Sequence, residues 1–532
     1  MPMSRLTGLI SSRRMHAIGL VAATILVLFA YDLDETPIFG DRALFVYLGQ
    51  TVLRGESIYA TSLFNYLPLG PIVGAGAMWI GLWLGVPTYV APRYLAVLVV
   101  AASVVLTYAT TRRASGRAWA GVLAGLVLCG ISILARYTVS GLEPKVLVLF
   151  FGLIACYSLQ RRRFVRLGLA CALGTTCWQP FAPVAFVYLI QTVRAGRRSL
   201  AATVGRFGLG VLLGILPVAV YLTATGGWQA CWRITFVMLG KARAAAAAES
   251  PTLWLNYLLR LDEAAFVVST GLGILWFAAR TIRRGAPRAV RIWLHPRLGG
   301  VPLATLAWAA WNAYSFDYYP DALPFLWLLG FWTGWLAHAA ASWIGARARV
   351  AAGPRLARAF AAAALLLTGA YGLADVPSYS SKTTLTEQIA ISRAVLEQAG
   401  PGATLACIAA EEFYIFDELR SPYPFLRLKV GSQELSDELI RLATGLDGCA
   451  GIVERTRELE PVVFVISQVD RGKHECVNRI ADMLREHGYR PWRVTFEEPW
   501  LTAFHERWAR RLVSAFFVYL PPRDRGRRKS GR

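Results

Sequence analysis

Acidic residues are scarce. Across 532 residues there are 33 Asp and Glu against 56 Lys and Arg, and charged residues of both signs make up only 17% of the chain. Soluble globular domains carry roughly 25% charged residues, and 55% of this chain is hydrophobic, so a water-soluble body throughout is excluded. Histidine is scarce too. The six are dispersed, with no H-E-x-x-H pair and no triad-like order, which leaves a zinc hydrolase unsupported. The eight cysteines contain no C-x-x-C pair, so a zinc or redox motif is likewise unsupported. No Walker pattern occurs, which argues against ATP-driven transport.

What is present is apolar length. Stretches long enough to span a bilayer recur from His16 to Ala374, which predicts an α-helical polytopic membrane protein with roughly 9–12 spans. The formal net charge of +23 would suggest nucleic acid in a soluble protein. Here the Lys and Arg excess gathers in short clusters between apolar segments, as the positive-inside rule requires. No nucleic-acid-binding motif accompanies it, so no nucleic-acid partner is expected. The expected partners include membrane lipids, and the expected location is the inner (plasma) membrane.

Arg5, Arg13 and Arg14 precede the first apolar segment, His16 to Tyr31, and predict a cytoplasmic N-terminus. No small-residue cleavage site follows, so this segment reads as a retained span. Further spans are expected at 94–110, 119–134, 146–159, 207–222, 264–279, 301–314, 323–340 and 360–373. The stretch 167–193 is interrupted by Trp178-Gln179-Pro180 and reads as two short helices meeting at the proline. Basic clusters at 112–117, 161–166, 194–206, 280–297 and 347–358 belong inside, which puts the turns at 136–143, 226–262 and 315–322 outside. Parity then requires that the glycine-rich piece after Pro68 does not cross fully, or that one boundary lies elsewhere; the first reading is preferred.

Composition shifts at Asp375. A helix over 389–398, buried strands over 403–409 and 462–467, an amphipathic helix over 476–486 ending at His487-Gly488, and a strand over 493–496 predict a small α/β domain. The expected division is a transmembrane part at 1–374 with an outer loop at 32–67, an extracytoplasmic domain at 375–522, and a basic disordered tail at 523–532. Cys407, Cys449 and Cys476 allow one disulfide in an oxidising compartment, with one thiol over. Glu411, Glu412, Asp417 and Glu418 read as a solvated face, and nothing in this part reads as catalytic.

The acids that exist are concentrated. Asp32, Asp34, Glu35 and Asp41 fall within ten positions just past the first span, where acids are costly unless they have a partner or a task. Aromatic residues Phe45 and Tyr47 follow, then Gly55, Ile58 and Tyr59, then Asn65-Tyr66-Leu67-Pro68. Asp41 and its neighbours are either the catalytic acids of an outer site or solvated residues capping the helix that begins near Arg42. Glu143, before Pro144, is either a second site acid or a residue favouring its own helix dipole.

The ordered set Gly40-Asp41-Arg42, Phe45, Tyr47, Gly55 to Tyr59 and Tyr66 to Pro71 resembles the first outer loop of the GT-C membrane glycosyltransferases. These include protein O-mannosyltransferases and lipid A aminoarabinose transferases. The resemblance covers roughly residues 20–190 and, more weakly, the last spans. It implies a sugar leaving a polyprenyl-phosphate donor for a glycan, lipid or protein acceptor outside the membrane. Asp41 would then be the general base, and Glu143 would orient the acceptor or a bound cation. The family pattern has a second acid where this chain has Arg42, which leaves Asp34 and Glu35 as rival bases. Many relatives place a lysine before the Gln-Pro pair, where Trp178 stands here before Gln179. The positive charge for the carrier phosphate would come instead from Arg42, Arg54, Arg136 or Lys145, each of which otherwise reads as a snorkelling interface residue. Tyr59 and Tyr66 belong to the loop pattern as substrate-binding candidates. Tyr318 and Tyr319 read either as site residues or as an interface belt. No cofactor and no metal ligand set is assigned, and a divalent cation stays open. The competing reading is a secondary transporter or flippase for a lipid-linked sugar, which would want charges in mid-span or a paired-repeat layout.

Overall fold

The computed structural model describes residues 12–196, 199–238, 295–314, 319–347, 383–399, 404–427, 429–430, 433–459, 462–467, 474–496 and 514–521, with scattered positions between 271 and 293. The expected span at 360–373 and the terminal basic tail lie outside the described residues, as does most of 264–279.

Long apolar runs make the helices, and the one at Leu200–Ala224 tolerates four glycines and Pro217 in its interior. The order is α1 (Ser12–Ala30), α2 (Asp41–Leu53), a single turn Ile58–Thr61, α3 (Leu69–Trp83), α4 (Ala91–Ser115), α5 (Ala118–Cys129), α6 (Ser132–Val139), α7 (Pro144–Gln160), α8 (Phe164–Cys177), α9 (Ala182–Ala195), α10 (Leu200–Ala224), α11 (Val301–Tyr314) and α12 (Leu326–Arg347). Among the described residues α4 and α10, at 25 residues each, are long and apolar enough to cross a membrane. The pair α5 and α6 reaches that length together, bent by 56°. The outward side of α10 exposes Leu209, Leu212, Leu213, Leu216 and Val220, a face that suits hydrocarbon rather than water. Its inner side touches α8 closely. A Cβ on Gly168 would lie 2.0 Å from the Phe207 carbonyl oxygen, and one on Gly210 would lie 2.0 Å from that of Val165. Such small-residue contacts let helix backbones pack without side chains between them.

Two expectations are corrected here. The run 119–134 is not one straight helix: Gly130 follows the end of α5, and Ile131 takes extended backbone before α6 begins. Glycine gives the helix little to hold it at that point. Arg136 therefore sits on a helix and not in a polar turn. The expected break at 178–180 is present, with α8 ending at Cys177 and a 3-10 turn, Gln179–Phe181, leading into α9.

The helices define two ends. At one, Arg113 Nε donates to the Gln160 carbonyl (3.2 Å) and Gln160 Nε2 donates to the Arg297 carbonyl (2.9 Å), so Arg113, Arg297 and the residue just before the 161–166 cluster gather together. At the other lie α2, the first turn of α7 and the C-terminal part. α3 both starts and finishes at this second end. A Cβ on Gly70 would meet Pro144, while Thr88, just past the helix, donates to Glu418 (2.7 Å). The chain therefore leaves α3 on the side from which it entered, as parity requires.

The C-terminal part is built on a four-stranded sheet of β1 (Thr404–Ile408), β2 (Val462–Ser467), β3 (Arg490–Phe496) and β4 (Ser514–Leu520), in the order β1-β2-β4-β3. β1 and β2 are parallel; β4 runs antiparallel to both its neighbours. Helices α13 (Leu385–Ala399), α14 (Asp437–Thr444), α15 (Gly448–Glu458) and α16 (Glu475–Glu486) accompany it. Cys449 and Cys476 form a disulfide joining α15 to α16, and Cys407 is a buried free thiol.

This part seats directly on the outer loop. Ile38 exchanges both backbone hydrogen bonds with the Gln388 amide (2.9 and 2.8 Å). The Tyr47 hydroxyl accepts from Ser421 N–H (3.0 Å), Gln50 Nε2 donates to the Ile415 carbonyl (2.8 Å), and Phe39 packs on Phe496.

Candidate functional site

Asp41 is the first residue of α2. Gly40 before it has φ +57, which a glycine adopts without strain, and its N–H is taken by Glu412 Oε1 at 2.8 Å. The N-cap position of α2 is Gly40, so no side chain caps the helix from there. Asp41 Oδ1 accepts from Arg427 Nη1 at 2.5 Å. Arg427 is held from behind by Glu411, whose two carboxylate oxygens accept from Nε (2.7 Å) and Nη2 (3.3 Å) in the bidentate geometry that suits a guanidinium.

Glu143 occupies the N-cap position of α7, with Pro144 at the first helical position, yet its side chain makes no cap hydrogen bond. It is 1% exposed, and its Oε2 has no hydrogen-bond partner. Lys145, two residues on, pairs with Asp321 at 2.9 Å, and its ammonium stands 5.4 Å from the centre of the Trp178 ring. The positive charge that position 178 does not carry is thus placed over it by the neighbouring helix. Arg42 turns away from the recess, with its guanidinium 5.0 Å from the Tyr137 ring. Gly141, at φ +151, lets the backbone pass Arg42; a Cβ there would press on its side chain at 3.2 Å.

Asp41, Phe45, Tyr66, Glu143, Pro144, Lys145 and Trp178 line one recess. The two carboxylates from distant parts of the chain therefore open onto the same space. Burial pushes the Asp41 carboxyl up, but Arg427, then Lys145 and Arg42, more than offset it and leave it at about 2. The Asp41 side chain is 43% exposed, so solvent weakens these charges, and the direction of the shift rests on the direct Arg427 contact. Glu143, just outside the α7 helix, is raised to about 7 by burial first; Lys145 lowers it and the Asp41 charge raises it. One acid is held ionised and the other is poised near neutrality.

The remaining sequence candidates fall elsewhere. Asp34 accepts from the Tyr94 hydroxyl (2.9 Å), and Glu35 accepts from the Thr386 hydroxyl (3.2 Å) at the seam with α13, so neither rival acid reaches the recess. Arg54 bonds Thr51 and Glu56 and lies over Tyr47. Tyr59 donates to the Tyr66 carbonyl (2.7 Å), supporting the recess wall from behind. Arg136 is buried on α6. Gln179 Nε2 bonds the Asn65 carbonyl at 3.3 Å while its Oε1 is buried without a partner. Tyr318 lies outside the described residues, as does the side chain of Tyr319. Among the described residues no group of three or more His, Cys, Asp or Glu is arranged to hold a metal ion.

The expectation of a solvated face at 411–418 is half overturned. Asp417 and Glu418 are exposed, but Glu411 and Glu412 are buried, at 1% and 4% exposure, because Arg427 and the Gly40 N–H reach them. Arg427 and Asp321 are the site residues that sequence reasoning passed over. Asp321 had a local signal, an acid at the mouth of a span; Arg427 had none.

No family model matches the chain, and no curated protein does. Solved structures do match in fold. ArnT from Cupriavidus metallidurans bound to undecaprenyl phosphate aligns over 94% of this chain and 97% of its own, with a TM-score of 0.54 and 14% identity. The apo state of the same protein aligns with a TM-score of 0.56 over 96% of this chain and 98% of its own, again at 14% identity. The Archaeoglobus fulgidus oligosaccharyltransferase AglB, in complex with an inhibitory peptide and a dolichol-phosphate, aligns over 89% of this chain and 72% of its own, with a TM-score of 0.53 and 11% identity. Both proteins are of the GT-C class, and the chain shares their fold.

Proposed function

We propose that the protein is a membrane glycosyltransferase that moves a sugar from a polyprenyl-phosphate carrier to an acceptor outside the membrane. The end bearing α2 and the C-terminal part faces the extracytoplasmic side, and the basic clusters face the cytoplasm. Residues 1–374 form the membrane part and 375–522 an outer domain.

The observation that carries the reading is the recess itself. An ionised carboxylate at Asp41, a buried unpartnered oxygen at Glu143 and the Lys145 ammonium meet between aromatic walls. That set matches displacement at an anomeric carbon. Asp41 takes the proton from the acceptor hydroxyl or amine as its oxygen or nitrogen attacks. The bond from the anomeric carbon to the phosphate oxygen breaks, and the carrier leaves as its lipid phosphate. A phosphate needs little protonation to leave, so one base suffices, and a cation such as Lys145 offsets the charge that develops on it. The Glu143 oxygen is placed to accept a hydrogen bond from the acceptor. The fold fits this division of labour, since its structural neighbours include proteins captured with undecaprenyl phosphate and with dolichol-phosphate.

The test is transfer by purified protein in lipid, offered lipid-phosphate-linked sugars and the extracted envelope glycans, lipids and proteins as acceptors, with products read by mass spectrometry. Carrier release coupled to a glycosylated product supports the reading. Movement of intact lipid-linked sugar across the bilayer with no product would replace it by flipping.

A further inference from the structure

The strongest unexplained feature is the arginine that the C-terminal part brings to the candidate base. Arg427 stands in loop backbone, held on one side by a carboxylate 1% exposed and bonded on the other to Asp41. Its guanidinium is a rigid fork with five donors. Glu411 takes two of its faces, so the third can point only along the line to Asp41 Oδ1. The guanidinium bonds Oδ1 of Asp41, and Asp41 lines the recess.

We propose that Arg427, oriented by Glu411, is a positioning residue that fixes the rotamer and the ionisation of Asp41, which makes the C-terminal part an obligatory component of the active site. This inference rests on reading Asp41 as the base. Arg427 does not touch the reacting atoms. It acts by holding the carboxylate where one oxygen faces the acceptor, and its charge keeps that carboxylate ionised. The other charged groups around Asp41 are Arg42 on its own helix and Lys145 and Glu143 at the start of α7, with Glu411 behind Arg427. Lys145 is paired with Asp321 at 2.9 Å. Arg427 is the cation bonded to Asp41 itself, so its removal leaves burial opposed by weaker and more distant charges.

The experiment titrates the Asp41 carboxyl band by infrared difference against Asp41→Asn, in wild type, Arg427→Gln, Arg427→Lys and Glu411→Gln, with transfer kinetics alongside. Arg427→Gln should move the titration upward from about 2, by roughly one unit or more, as expected for loss of an adjacent opposite charge. It should also lower kcat by about 10²-fold, the cost of a misplaced catalytic group, with donor KM little changed. Arg427→Lys keeps the charge without the fork, so the titration should stay low while kcat falls. Glu411→Gln should resemble it. An unmoved titration in folded Arg427→Gln protein overturns the proposal. A raised donor KM with kcat retained also overturns it, since Arg427 would then be binding the carrier. If no transfer is found for any donor, the function reading fails, and the infrared titration still decides whether Arg427 governs Asp41.

Discussion

Arg427 Nη1 lies 2.5 Å from Asp41 Oδ1, although 386 positions separate the two residues in sequence. The contact joins the first outer helix to a loop of the C-terminal sheet part, at the edge of the recess where the second acid, Glu143, is buried. Four measurements bear on this arrangement.

Asp41→Asn should abolish transfer. The amide fills the same volume and can still accept from Arg427, but it takes no proton. Loss of a positioned general base costs typically about 10²–10⁴-fold. Single-turnover assays on purified protein, with expression and carrier binding intact, would check this; turnover retained in the variant removes Asp41 from the mechanism.

Glu143→Gln should impair transfer less than Asp41→Asn does. The wild-type carboxyl, raised to about 7, gains its charge as pH rises through that value. Transfer that depends on the charged form therefore rises with pH across this range, and the limb is missing in the glutamine variant. Rate profiles of the two proteins under saturating donor provide the comparison.

The Lys145–Asp321 pair is enclosed, with side-chain exposures of 12% and 9%. Removing one partner strands the other charge, at a cost of roughly 3–5 kcal/mol. Lys145→Met and Asp321→Asn should each lower thermal stability sharply in detergent, and Lys145→Met combined with Asp321→Leu should recover much of the loss. If the double variant is no better than the singles, the pair is not the stabilising unit.

Glu412 is buried beside Glu411, and burial, then the charge of Glu411, raise its carboxyl above the ordinary 4.5. The folded protein thus holds a proton that the unfolded chain gives up at about that ordinary value. Stability therefore falls as pH rises above 4.5 and levels off once the folded carboxyl ionises as well. Glu412→Gln keeps an acceptor for the Gly40 N–H and removes the titration. Its melting temperature should exceed that of wild type at mildly alkaline pH and change less across the interval. Parallel melting curves for the two proteins would contradict this.

Much of the helical layout was legible because hydrophobic length and basic clusters are local signals. The break at Gln179-Pro180 and the strands at 404–408 and 462–467 follow from such signals. Asp41 and Glu143 stood out because acids at a span boundary are costly. The strand at 514–520 was passed over, although its continuous apolar and aromatic run from Ala515 to Leu520, ending at Pro521, was a usable cue. Arg427 was not legible at all. A single arginine in a polar loop reads as solvated, and only tertiary contact brings it to Asp41. The same holds for Glu411 and Glu412, which resemble a hydrated charge run until their partners from elsewhere in the chain are known.

The amide of Gln388 clasps the backbone of Ile38 from both sides, while Gly40, Tyr47 and Gln50 are tied to residues 412–421 along the whole length of α2. Shortening the chain ahead of residue 383 would strip partners from the Ile38 and Gly40 amides at once. A trimmed preparation made for convenience would then report on a damaged catalytic rim rather than on a membrane core freed of an accessory.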